Sequence, residues 1–132
     1  MGFVLIEDRQ LELGDPSLPK PLAELLAYWE SRRARRAMPR RADIDPAGFA
    51  HNLGRVHLLK VEGPGWFRYR VYGSNVTNPD AADMTGKTTR DYKDRAFGDM
   101  VTRHLALCVE ERRPICVRVI ARLEGEPYEY ER

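Results

Sequence analysis

Three histidines, two cysteines, three serines and a run of arginines are the side chains of this 132-residue sequence best suited to chemistry. Nucleophilic catalysis needs an activated hydroxyl or thiol beside a base. Ser17, Ser31 and Ser74 lie in no G-x-S-x-G elbow, and no His/Asp pair is placed to serve them. Asp43/Asp45 and Glu110/Glu111 read as helix caps and exposed helix charges, not as an acid/base couple. His51 and His57 have no second ligand at metal spacing. Cys108 and Cys116 stand too far apart for a CxxC redox or zinc motif, and Cys108, between Leu107 and Val109, reads as a small core residue. Gly63-Pro64-Gly65 is a hairpin turn, and neither a P-loop nor a GxGxxG is present. The expectation is a non-catalytic chain without a metal.

The arginines are concentrated. Residues 32–41 (RRARRAMPRR) hold six of the 22 bases and no acid, so the other 16 face 20 acids and the remainder is net −4. Such a stripe invites a nucleic-acid reading, because each phosphate contact adds salt-dependent affinity. No aromatic residue interleaves these arginines, and a solvated face at a helix C-terminus accounts for most of them. Trp29, Arg32, Arg33, Arg35 and Arg36 are therefore read as a surface for an acidic protein partner, with nucleic acid as an alternative.

Hydrophobic residues at 42% and charged residues at 32% belong to a folded domain, and the longest apolar run, Phe3-Val4-Leu5-Ile6, is too short to cross a bilayer. Glu7, Asp8 and Arg9 break that run before signal-peptide length. A reduced, cytoplasmic protein is expected, with no membrane association.

The elements that must position these residues follow from periodicity. Residues 3–13 start strand-like, and residues 14–21, with a glycine and three prolines, break regular structure. Leu22, Leu25, Leu26 and Trp29 recur at helical spacing, so residues 21–36 form an amphipathic helix stopped by Pro39. Asp45 caps a short helix entered at Pro46, with Phe49 and Leu53 on one face. Residues 55–62 and 66–73 make a hairpin with Phe67, Tyr69 and Val71 inward and Arg68, Arg70 and Tyr72 outward. Residues 74–89 read as two short helical turns with loops. Residues 95–113 are helical, burying Phe97, Met100, Val101, Leu105, Cys108 and Val109, with His104 near that face. Residues 115–123 and 127–132 are strands, the first inward through Val117 and Val119 and the second with Tyr128 and Tyr130 on one face. Helix, two strands, short helices, a longer helix and a returning hairpin describe an α+β fold with an antiparallel sheet.

That order, and the wording of several segments, resembles the PAS domain. Leu25-Ala27-Tyr28-Trp29 leading to Pro39-Arg40-Arg41-Ala42-Asp43-Ile44-Asp45-Pro46 is similar to the start of a proteobacterial PAS-like family long listed as a domain of unknown function. That family carries a tyrosine–tryptophan pair before a P-R-R-x-D-I-D-P segment. Leu58–Glu62, Phe67–Gly73, Gly73-Ser74-Asn75 and Asp83-Met84-Thr85-Gly86-Lys87 continue the likeness over about residues 20–125.

The resemblance implies a PAS-like antiparallel sheet flanked by short helices, with an extra N-terminal helix. Residues 1–19 would be an N-terminal extension and 20–132 the PAS-like domain, its core at about 43–132. It implies a sensory or signal-transduction module that binds a small ligand or a protein partner, with Phe67, Tyr69, Val71, Phe97, Val101, His104, Val117 and Val119 as pocket candidates. No cofactor is expected. Haem through His104, as in some haem-binding PAS domains, or a flavin with Cys108 are the cofactor alternatives, and a small α+β enzyme with an interior cavity is the functional one. A complete PAS sheet has a further strand after residues 115–132. Either the chain is truncated before it, or residues 3–7 take its place, or a partner supplies it. A homodimer with residues 3–6 ordered and largely buried is expected.

Overall fold

A strand opens the chain: Phe3–Leu11 form β1, which lies antiparallel to β4 (Cys116–Leu123) from Phe3↔Leu123 to Leu11↔Cys116. The structure, a computed structural model, describes residues 2–132. On its other side β4 pairs with β5 (Glu126–Glu131), giving the sheet order β1-β4-β5. A second antiparallel sheet is the hairpin of β2 (Leu58–Gly63) and β3 (Trp66–Val71). Residues 3–7 thus sit beside β4, and among the described residues the outer edges of β2 and β5 carry no strand. Within the single chain Phe3 is buried, and Val4 and Ile6 are 53% and 58% exposed. Alternate side chains of a strand point to opposite faces, and here one face is covered.

Both hairpins carry the turn chemistry their residues demand. Pro64 and Gly65 close β2–β3, with Gly65 at φ +70 in the conformation that follows proline in a type II turn. Glu124 and Gly125 close β4–β5 at φ 51 and 82, the doubly positive signature of a type I′ turn. One register shift matters for the site. Leu58 faces Val71 but Leu59 faces Tyr69, so Arg70 is an extra residue in β3. Such a bulge twists the strand beyond it. Val71 turns out to 49% exposure, against the inward expectation, and Tyr72 turns inward.

Helix α1 (Lys20–Arg33) ends three residues earlier than expected, at Ala34, which takes φ 54, rather than being stopped by Pro39. None of its residues is buried; Leu22, Leu25, Leu26 and Trp29 are only half-buried. It is held by Tyr28, whose ring meets Phe49 edge-on at 5.4 Å and whose hydroxyl accepts from the backbone N–H of Asp45 at 2.7 Å. Residues Pro46–Arg55 wind as two 3₁₀ segments joined by a kink at Phe49, the first capped by the Asp45 side chain. Across that kink Asn52 joins Phe49 inside and Leu53 is left 42% exposed, correcting the expected pairing of Phe49 and Leu53.

Residues 74–88 form turns instead of two helical turns, because Asn78 satisfies their backbone. Its Oδ1 accepts from Asp80 N–H at 3.0 Å, and its Nδ2 donates to the Ala82 carbonyl at 2.8 Å and the Tyr72 hydroxyl at 2.9 Å. A 3₁₀ turn at Thr89–Asp91 then leads to α2 (Arg95–Glu111), capped by Asp94. Gly98 lets α2 approach that turn: a Cβ there would stand 2.8 Å from the Thr89 carbonyl oxygen. Phe97, Met100 and Val101 of α2 pack with Phe3, Tyr69, Met84, Tyr92, Val117, Val119 and Ala121 in one core. Val109, expected in that set, is 48% exposed near the helix end.

Candidate functional site

Between β3 and β5 lies a cavity of about 320 Å³ walled mostly by aromatic side chains. Tyr69 and Tyr72 come from β3 and the residue after it, Tyr92 and Phe97 from the start of the α2 region, and Tyr128 and Tyr130 from β5. Asn75–Thr77 close one side, and Arg132 enters from the end of β5. That volume is at the small end of ligand pockets.

Polar atoms are fixed around this space. The Tyr69 and Tyr92 hydroxyls share a 2.9 Å hydrogen bond, and burial pushes both phenols up, so neither is an anion at neutral pH. His57 stacks on Tyr72 with ring centroids 4.1 Å apart. Its Nδ1 accepts from the Gly73 N–H at 2.9 Å, which puts its proton on Nε2. Burial, with help from the Arg132 charge, holds its pKa at about 4, so this ring is neutral.

Behind the cavity runs a charged relay. Arg132 Nη1 donates to His104 Nδ1 at 2.8 Å, and His104 Nε2–H donates to Asp8 Oδ2 at 2.7 Å. Arg103 also donates to Asp8 at 2.8 Å. Burial lowers the His104 pKa more than Asp8 raises it, leaving a neutral ring beside an ionised carboxylate. Both ring nitrogens of His104 are thereby occupied.

Of the eight pocket candidates, Tyr69 and Phe97 line the cavity. Phe67, Val101, Val117 and Val119 are buried outside its lining, Val71 is turned out by the bulge, and His104 stands one hydrogen bond away through Arg132. His57, Tyr72, Tyr92, Tyr128, Tyr130 and Arg132, which also line it, are not among the pocket candidates of the sequence. Counting back along the hairpin from its Gly63–Trp66 closure sets His57 opposite Tyr72, because the register shifts at Val61/Gly63 and Leu58/Leu59 cancel.

The arginine stripe folds back on the chain. Arg32 donates to the Asp43 carbonyl at 2.7 Å, Arg33 pairs with Glu30 at 2.7 Å, and Arg36 pairs with the Asp43 carboxylate. Arg32 and Arg35 are exposed, whereas Arg33 and Arg36 are half-buried, not fully solvated as expected. Beside them the apolar face of α1 borders two grooves. One, of about 470 Å³, runs past Trp29, Met38, Pro39 and Val109, and the other, of about 200 Å³, past Leu22, Leu25, Leu26 and Ile115. Among the described residues no group of three or more His, Cys, Asp or Glu side chains is placed to hold a metal, and no helix is long and apolar enough to cross a membrane.

A family model described as a PAS domain matches residues 18–127. No curated protein and no solved structure matches the chain.

Proposed function

The chain belongs to the PAS domain family, a family of sensory and signalling modules, and from that premise we propose that it senses a small molecule held in the cavity between β3 and β5. The observation that carries this reading is the cavity itself: about 320 Å³, walls mostly of aromatic side chains, and polar groups from His57, Asn75, Thr77 and Arg132 beside them. The role is binding and not catalysis, since the buried tyrosines keep their protons and the His57 and His104 acceptor nitrogens are already engaged. Native mass spectrometry of the protein purified without added ligand tests the reading. A retained small molecule that Tyr69→Trp, which fills the cavity, displaces is the expected result. Apo protein only, with no small molecule of any class raising its melting temperature, would refute it.

A second element of the proposal is a homodimer through α1, in a cytoplasmic setting that keeps Cys108 and Cys116 as thiols. It is favoured by the helix's half-exposed Leu22, Leu25, Leu26 and Trp29, a contiguous apolar stripe of the kind that marks an interface. A two-fold axis would set this stripe against its own copy. Light scattering behind size-exclusion chromatography reads the mass, and a monomer at every concentration would remove this element.

A further inference from the structure

Arg132 brings to the cavity a guanidinium that, among the described residues, pairs with no carboxylate. Its guanidinium is half-buried and gives one N–H to His104 Nδ1 and another to the Tyr130 hydroxyl, both at 2.8 Å and both neutral acceptors. A guanidinium has five N–H donors, so three remain. Among the described residues no carboxylate forms an ion pair with it. The carboxylate nearest in sequence, Glu131, is spent on Arg118 at 3.1 Å. A half-buried cation held by neutral groups is under-compensated, and an entering anion would correct that.

We propose that the cavity takes a small organic monocarboxylate with a flat apolar body, the carboxylate on Arg132 and the body among Tyr72, Tyr128 and Tyr130. The charge count sets the valence. Arg132 is the one cation lining the cavity among the described residues, because His57 is neutral there; of the two carboxylates in the lining Glu131 is paired with Arg118, and Glu129 opposes a second negative charge. The tyrosine walls set the body, since aromatic faces and edges favour a flat ring. Guanidinium geometry matches a carboxylate through two parallel N–H donors. This inference rests on the ligand-site reading above and adds the class of ligand.

Benzoate and its neutral isostere benzamide test it on the full chain. Calorimetry should show saturable benzoate binding, with benzamide and inorganic phosphate at least about tenfold weaker, the loss expected when a charge-assisted pair is removed. Histidine ring resonances report the place: benzoate should shift His57 and leave His51, which pairs with Glu24 on the surface, unmoved. Arg132→Gln should abolish the preference for benzoate over benzamide. The two ligands and the resonances are compared on the unaltered protein, so the inference stays testable if that variant does not fold. Equal binding of benzamide, no benzoate binding, or shifts at His51 in place of His57 would each overturn it. A neutral molecule retained in native mass spectrometry would overturn it too while upholding the cavity as a ligand site.

Discussion

Asp8 of β1 and His104 of α2 stand 96 residues apart in the chain, yet the imidazole Nε2–H donates to the carboxylate across 2.7 Å. The bond ties the edge strand of one sheet to the helix that covers it, and Arg132, just past β5, completes the chain through Nδ1. Replacing Asp8 by Ala leaves a buried N–H without an acceptor, which costs about 1–3 kcal/mol. Asp8→Asn keeps an acceptor and should lose less. Urea denaturation of the two variants ranks them, and equal losses would show that the acceptor is unimportant.

The pH dependence follows from His57. Its pKa is about 4 when folded and near 6.5 when unfolded, so below pH 6.5 the unfolded chain binds the proton more readily. The stabilisation by the neutral ring is therefore complete above pH 6.5 and declines as the pH falls towards 4, by about 1–2 kcal/mol at pH 5. His104, also depressed, acts in the same direction. His57→Asn, whose carbonyl can still accept from the Gly73 N–H, should flatten this slope in melts between pH 4 and 7; an unchanged slope would assign it to other groups.

The hydroxyl pair Tyr69–Tyr92 should behave as a unit. Either Phe substitution strands one buried hydroxyl, at about 1–2 kcal/mol, whereas the double substitution removes both partners and should cost less than the two single losses together. A double-mutant cycle measured by denaturation reads this coupling, and strict additivity would contradict it.

Deleting residues 1–13 strips Phe3 and Leu11 from the core and uncovers the whole β1-facing edge of β4. Loss of cooperative unfolding or gross aggregation is the expected outcome. A shortened protein that melts like the full chain would mean that β4 does not depend on its neighbour.

Trp29→Ala tests α1. Full burial would make this change worth about 3–5 kcal/mol, but Trp29 is only half-buried, so the monomer should lose far less. The dimer should lose more. Sedimentation equilibrium of the variant, set beside its melting curve, separates the two, and a variant that dimerises normally would place the interface elsewhere.

Local signals alone defined a good deal of this protein. The spacing of Phe97, Met100 and Val101 marks the buried face of α2, the alternation of Val117 and Val119 marks the inward face of β4, and Gly65 and Gly125 mark turns that other residues adopt at a cost. Each depends on residues a few positions apart, and the ordered motifs from Leu25 to Lys87 were sufficient to point to the PAS family that residues 18–127 match. The tertiary structure decided the rest. One extra residue in β3 reversed Val71 and Tyr72, because a strand's faces alternate and a bulge shifts that alternation. The partners of His104 and the walls of the cavity come from β1, β3, α2 and β5, whose meeting no local periodicity encodes. Periodicity says which way a side chain points along its own element; which groups it meets there depends on how elements distant in sequence pack.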